Sequence, residues 1–327
     1  MKTRALGQTG LQVTELGFGG ASIANLFAPV PRDVAMATLQ TAWDGGMRYF
    51  DTAPYYGHGL SERRIGDFLQ GQDRDAFVLS TKVGKLLRPV PLGQVPDYGF
   101  ADPLPFAVDF DYSRDAILRS FEYSLARLGL NRIDVLYVHD LERAALGASY
   151  DGHFRTFMDS GHRALDDLKS AGAIAAWGLG SNEVAAILAV MRRIQIDALL
   201  LAGRYTLLDR TAAAELMPLC LEQGVGVVVG GVFNSGILAT GPVAGAHFDY
   251  GPPNGDILAR VTAMAAHAAG QGASLPGAAL QFALQHPAVA SVLIGSAKPA
   301  SMTRNFALMT PDLPATIWPG FDPHVLT

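Results

Sequence analysis

Four ionisable residues have the side-chain types needed to move a proton while a hydride leaves carbon: Asp51, Tyr56, Lys82 and His139. Asp51 directly follows the apolar run Met47–Phe50, Lys82 follows Phe77–Thr81, and His139 follows Ile133–Val138. Tyr56 stands just beyond Asp51, in Asp51-Thr52-Ala53-Pro54-Tyr55-Tyr56-Gly57. A free tyrosine titrates near pH ~10, too high for a base near neutrality. A lysine ammonium beside the phenol favours phenolate and lowers that value. A carboxylate beside the lysine keeps the ammonium charged despite burial. A histidine orients the substrate oxygen or relays its proton. Tyr56 then serves as general acid in a reduction and general base in an oxidation, with no nucleophile and no metal. Taken singly, Asp51 reads as a cap, His139 as a structural histidine and Tyr56 as packing. Lys82 is less ordinary, since an unpaired lysine is rarely buried. The joint placement carries the expectation.

Such chemistry requires the four side chains to converge, and the pattern of elements provides for that. Strands are expected at Leu16–Gly20, Met47–Phe50, Phe77–Thr81, Ile133–Val138, Ala175–Leu179, Ile196–Leu201, Val225–Val229 and Ala290–Ile294. Helices are expected at Asp33–Asp44, Ser61–Gln70, Ser113–Leu128, Arg163–Ala171, Glu183–Ile194, Ala212–Gln223, Asp256–Ala269, Gly277–Gln285 and Ala300–Met309. Ile117, Phe121, Leu125 and Leu128 mark one apolar helical face. Apolar strands without alternation imply a parallel sheet covered on both faces. Eight strand–helix units predict an α/β fold, a (β/α)8 TIM barrel, preceded by a β-hairpin over Arg4–Thr14 with its turn at Gln8-Thr9-Gly10. Residues 1–327 read as one domain. In such a barrel the carboxyl ends of the strands carry the site. Those ends hold Asp51 to Gly57, Lys82, His139 with Asp140, and Ser181 with Asn182. The Pro- and Gly-rich excursion Leu86–Asp111 falls on the same side. Phe100, Phe106 and Phe110 are candidates for one wall, Tyr55 for the substrate pocket, and Thr240–Asn254 for a second rim.

Other classes are disfavoured by composition. Hydrophobic residues make up 49% of 327 and charged residues 17%, against about 25% charged in typical domains. That argues against disorder. The net charge of −5, without a basic stripe, argues against nucleic acid as a partner. One cysteine, Cys220, excludes a disulfide framework within the chain and fits a reducing, cytoplasmic setting. Met1 to Gly10 lacks the apolar run of a secretory signal. The longest uncharged stretch, from Gln223 to Phe248, contains seven glycines. It reads as a buried strand and a loop rather than a membrane span. Gly17-Phe18-Gly19-Gly20-Ala21-Ser22 lacks the third glycine of a dinucleotide fingerprint, and Gly84-Lys85 has Leu79 where a P-loop needs glycine. His153, His162, His247 and His267 show no metal-ligand spacing, and no metal site is expected.

The motif Asp51-Thr52-Ala53-x-x-Tyr56-Gly57, the strand end Ser80-Thr81-Lys82 and His139 resemble the aldo-keto reductases over essentially the whole chain. The resemblance implies a barrel that binds NAD or NADP in extended form and a catalytic tetrad of Asp51, Tyr56, Lys82 and His139. It implies cofactor contacts from Gly20 and Ala21, a carboxamide-binding pair Ser181 and Asn182, and a nicotinamide-stacking Tyr205. It further implies a pyrophosphate-covering segment with Phe233, Asn234, Gly236 and Leu238. The adenosine-binding loop falls on Gly295, Ser296, Lys298, Ser301, Arg304 and Asn305. Tyr55, Tyr56 and His139 face the substrate. Ala202 stands where the family often has a glutamine, which implies that one amide contact to the nicotinamide is lost or replaced. Ala297 stands where NADPH users often have arginine, which points to NAD as the preferred cofactor, with Lys298 and Arg304 still able to serve NADP. The segments Leu200–Asp209, Phe110–Asp115 and Arg127–Asp134 resemble a bacterial branch that oxidises aldoses or pyridoxal as cyclic hemiacetals. A monomer or small homo-oligomer is expected. The closest alternative is an NADPH-dependent reductase of aldehydes or ketones. Two further readings, a cofactor-binding regulatory subunit and a barrel hydrolase or lyase, fit the tetrad less well.

Overall fold

A computed structural model describes residues 1–310 and 312–327. Twelve strands are present among them: β1 (Thr3–Ala5), β2 (Gln12–Thr14), β3 (Leu16–Gly19), β4 (Tyr49–Asp51), β5 (Val78–Val83), β6 (Lys85–Pro89), β7 (Phe106–Phe110), β8 (Val135–His139), β9 (Ala176–Ser181), β10 (Ala198–Ala202), β11 (Gly226–Gly230) and β12 (Val289–Ile294). The helices are α1 (Arg32–Asp44), α2 (Leu60–Leu69), α3 (Arg114–Leu128), α4 (Arg143–Leu146), α5 (Tyr150–Thr156), α6 (His162–Ser170), α7 (Val184–Met191), α8 (Leu216–Gln223), α9 (Ile237–Thr240), α10 (Gly255–Gly270), α11 (Leu275–Phe282) and α12 (Pro299–Met309). Strands β3, β4, β5, β8, β9, β10, β11 and β12 close a barrel in that order, every pair parallel. They are buried almost throughout because helices cover the outside and side chains fill the inside. The expected fold is therefore present.

Two hairpins sit at opposite ends. β1 and β2 pair antiparallel, and their Leu6 and Val13 pack with Tyr49, Val135, Tyr137, Ala198 and Val228 inside the barrel. Gly7, at φ +54°, lies so near Gly226, the first residue of β11, that a Cβ would stand 2.5 Å from its nitrogen. The hairpin thus plugs the amino end of the strands. The second hairpin adds strands that the sequence reading did not assign: the excursion after β5 forms β6 and β7, paired from Lys85–Phe110 to Pro89–Phe106. Between Asp140 and α6, where the sequence pattern gave no element, the chain forms α4 and α5. The helix expected over Ala212–Gln223 begins only at Leu216. The preceding residues are engaged by the chain's end instead, with Arg210 N donating to Leu326 O and Leu326 N to Leu208 O. No helix among the described residues is long and apolar enough to cross a membrane.

Candidate active site

The barrel interior becomes polar toward the carboxyl ends of its strands. Ser80 and Lys82 alternate inward on β5, while Thr81 points outward and donates to Glu62 on α2. The hydroxyls of Tyr49 and Tyr137 lie 3.2 Å apart, and Tyr49 stands 3.0 Å from Ser80 Oγ. Ser80 donates to Asp51 Oδ1 at 2.7 Å. Asp51 Oδ2 in turn receives Lys82 Nζ at 2.6 Å, and Lys82 also donates to Thr52 O at 2.8 Å. Both members of the pair are essentially excluded from solvent. Burial opposes the Lys82 charge, but Asp51 and Tyr56 outweigh it and hold the ammonium above its ordinary value. Burial lifts the Asp51 carboxyl from its ordinary value, with Lys82 and Ser80 pulling it back.

Tyr56 reaches the same point from the loop after β4. Gly57, His58 and Gly59 all have positive φ, which reverses the chain behind it. Lys82 Nζ lies 4.7 Å from the centre of the Tyr56 ring, and the His139 ring stands perpendicular to that ring at 5.7 Å. The expected lowering of the phenol is corrected here. Burial pushes Tyr56 up to about 12, and Lys82, by charge and hydrogen bonding, only moderates the rise. His139 is held well below its ordinary value by burial, with Lys85 and Lys82 adding to the effect, so its ring is neutral at pH 7. Its Nδ1 has no hydrogen-bond partner among the described residues. Tyr55 meets His139 edge-on at 5.8 Å and Phe100 at 5.7 Å. Phe100 of the second hairpin's loop therefore forms part of a wall over Tyr55 and Tyr56, whereas Phe106 and Phe110 belong to the hairpin strands.

Beside this group opens a cavity of about 840 Å³ lined by Asp51 and Tyr56, by Gly19, Gly20 and Ala21, by Leu200, Ala202, Gly230 and Gly231, and by Phe233, Gly236 and Gly295. At Gly19 and Gly230 an added Cβ would meet no protein atom nearer than 3.7 Å. The space that glycine leaves there belongs to the cavity, as expected where backbone and ligand approach closely. The groove is large enough for a nucleotide-sized ligand. Ser181 and Asn182 stand at the end of β9, next to the lining. The Ser181 hydroxyl donates to Glu142, which also receives the Asn182 and Glu183 amides. Ser181 therefore keeps only acceptor capacity for a ligand. Beyond Gly295, Ser296 bonds Lys298 at both its backbone O and N. Arg304 donates to Ser301, and Lys298 and Arg304 are exposed. These residues, with Asn305, extend from the cavity onto the start of α12.

Three expected cofactor residues do not present their side chains to the cavity. Tyr205 is buried against Phe282 of α11 at 5.4 Å and His286 at 5.6 Å. Asn234 accepts from Thr206 Oγ1 at 2.6 Å and donates to Gly203 O, bracing one loop against another. Leu238 is wholly buried in the core. Phe27 also lines the cavity, as do His247 and Tyr250 of Thr240–Asn254, the segment expected to form a second rim. Tyr250 lies next to Asp249, which receives Arg204. No local motif marks these residues; only the closed barrel brings residues 27 and 250 to one groove.

A parallel eight-stranded barrel with a buried lysine–carboxylate pair against a tyrosine at its mouth defines a class of oxidoreductases. The model of the aldo/keto reductase family matches residues 15–322, and the chain belongs to that family. It is 40% identical over 319 residues to D-threo-aldose 1-dehydrogenase of a Pseudomonas species, covering 96% of this chain and 94% of that protein. It is 41% identical over 325 residues to pyridoxal 4-dehydrogenase of Microbacterium luteolum, covering 96% and 95%. Among solved structures, the holo form of an aldo-keto reductase from Bacillus halodurans superimposes with a TM-score of 0.79 at 26% identity, covering 100% of this chain and 97% of that one.

Proposed function

We propose that this chain oxidises a cyclic hemiacetal, an aldose at its anomeric carbon or pyridoxal, to the lactone, with Tyr56 as the proton acceptor and NAD preferred over NADP. The observation that carries the reading is the solvent-excluded Lys82 ammonium held between Asp51 and Tyr56 beside the cavity. The two relatives at 40% and 41% identity, named for an aldose and for pyridoxal, support the substrate class. When bound, NAD accepts the hydride from the carbon and brings a positive ring charge. The hemiacetal O–H bond gives its proton to Tyr56 as the C–H pair departs, and the oxygen becomes the carbonyl of the lactone. His139, kept neutral, holds that oxygen in place. Asp51 keeps Lys82 charged, and Lys82 stabilises the phenolate that must form. For NAD, the support is Ala297, which offers no charge to a ribose phosphate.

One observation favours a second reading. A phenol near 12 is protonated at neutral pH and ready to donate, as an NADPH-dependent reduction of aldehydes or ketones requires. Initial rates of NADH and NADPH formation with L-fucose, D-arabinose, L-galactose and pyridoxal separate the two. Turnover of at least one of these with NAD above NADP is expected. Silence across that panel, with brisk reduction of simple aldehydes by NADPH, replaces the first reading by the second.

A further inference from the structure

A second lysine–carboxylate pair stands on the other side of His139. Gly84, at φ +96°, turns the chain out of β5 so that Lys85 follows Lys82 into the mouth; a Cβ at Gly84 would lie 2.3 Å from the Tyr112 ring. Lys85 is buried, with Nζ 2.5 Å from Asp140 Oδ2 and 4.1 Å from the centre of the Tyr55 ring. The same Oδ2 lies 3.5 Å from His139 Nε2. Asp140 itself sits on a left-handed backbone at φ +48°. Its amide donates to Gly180 O at 2.9 Å, and the Tyr112 hydroxyl donates to the carbonyls of both His139 and Asp140.

The fold therefore fixes a carboxylate that the proton chemistry above does not use. Its Oδ1 receives no hydrogen bond from the described residues, and the side chain is 24% exposed. Through Lys85 it stands beside the Tyr55 ring, and through His139 beside the Tyr56 ring, so the carboxylate lies near the mouth that these rings border. A carboxylate only accepts, and its natural partner is a ligand hydroxyl.

We propose that Asp140, fixed by Lys85, is a substrate-binding residue whose Oδ1 accepts a hydrogen bond from the hydroxyl on the carbon next to the one oxidised. This rests on the hemiacetal reading and narrows it to a ring carrying a neighbouring hydroxyl. Tyr55 supplies the flat apolar surface beside it. A substrate without that hydroxyl leaves the carboxylate unpaired on binding, which is how a polar site rejects the lesser analogue.

The test compares an aldose with its 2-deoxy counterpart in the wild type, in Asp140→Gly and in the double variant Lys85→Gln/Asp140→Gly. Glycine removes the acceptor and adopts the left-handed backbone, and the double variant leaves no lysine buried without a counter-charge. The wild type is expected to prefer the aldose in kcat/KM by about tenfold or more. In both variants that ratio falls toward one, chiefly through a higher KM for the aldose. A ratio that survives while both substrates slow equally overturns the assignment. A second measurement does not depend on the direction of the reaction. A 1,5-anhydrohexitol and its 2-deoxy form are compared as inhibitors of aldehyde reduction. Selective inhibition by the hydroxylated ring, lost in the variants, upholds Asp140 even if no hemiacetal is oxidised, in which case only the parent reading falls. Equal inhibition by the two rings overturns the role of Asp140.

Discussion

Tyr56 is the residue on which the chemistry turns, and two opposing effects set its proton. Burial raises the phenol to about 12, and Lys82 keeps it from rising further. Removing the ammonium lets the phenol climb, and it also leaves Asp51 buried without its partner, which costs about 3–5 kcal/mol. Lys82→Met is therefore best read beside Asp51→Asn/Lys82→Met, which leaves no orphaned carboxylate. In both, the ascending limb of the oxidation rate should move to higher pH, because the base must be deprotonated from a higher value. At pH 7, kcat should fall by about 10²–10⁴, the ordinary worth of a positioned acid–base group. Tyr56→Phe should fall equally at every pH, with NAD affinity measured by fluorescence titration left within a few-fold. A wild-type pH profile in Lys82→Met would contradict the electrostatic argument.

Elements decide where these residues go, and the sequence announces some elements better than others. The eight barrel strands are legible because covering both faces of a parallel sheet demands short unbroken apolar runs. Asp51, Lys82 and His139 are legible for the same reason: a charged residue at the end of such a run has few other uses. The β6–β7 hairpin is hidden because 16 residues separate Pro89 from Phe106, and no short turn marks the pairing. The facing of Tyr205, Asn234 and Leu238 is not legible, because neighbourhood along the chain does not say which way a side chain points after a strand ends. Glu142, which holds Ser181, is invisible until β8 and β9 lie side by side. Helix packing shows the same dependence. Gly66 of α2 lies against the end of α3, where an added Cβ would stand 2.0 Å from Leu128 O. The obstacle is backbone, so it cannot swing aside. Gly66→Ala should lose about 1–3 kcal/mol by overpacking, seen as a lower urea midpoint with an unchanged slope. An unaltered midpoint would mean that the two helices separate at little cost.

The molecule as a whole keeps its chemistry dry, and that has a consequence for its response to acid. Plugged by β1–β2 at one end and walled by the second hairpin at the other, the barrel buries histidines as well as the tetrad. Burial lowers His58, His139 and His286 from their ordinary value of 6.5, His139 furthest because Lys85 and Lys82 add to the effect. The unfolded chain therefore binds more protons than the folded one just below pH 6.5. Their contribution is complete above that pH and is lost progressively as the pH falls toward the folded values. Asp51 and Glu142, whose carboxyls burial raises, act in the opposite sense over their own range. A difference measurement isolates the histidine part. Between pH 7.5 and 5.5 the wild type should lose more Tm than His139→Asn does, by about 2–4 °C for each kcal/mol of lost linkage. The same slope in both proteins would mean that His139 takes up its proton without unfolding the site, and the neutral imidazole required beside Tyr56 would then not persist in acid.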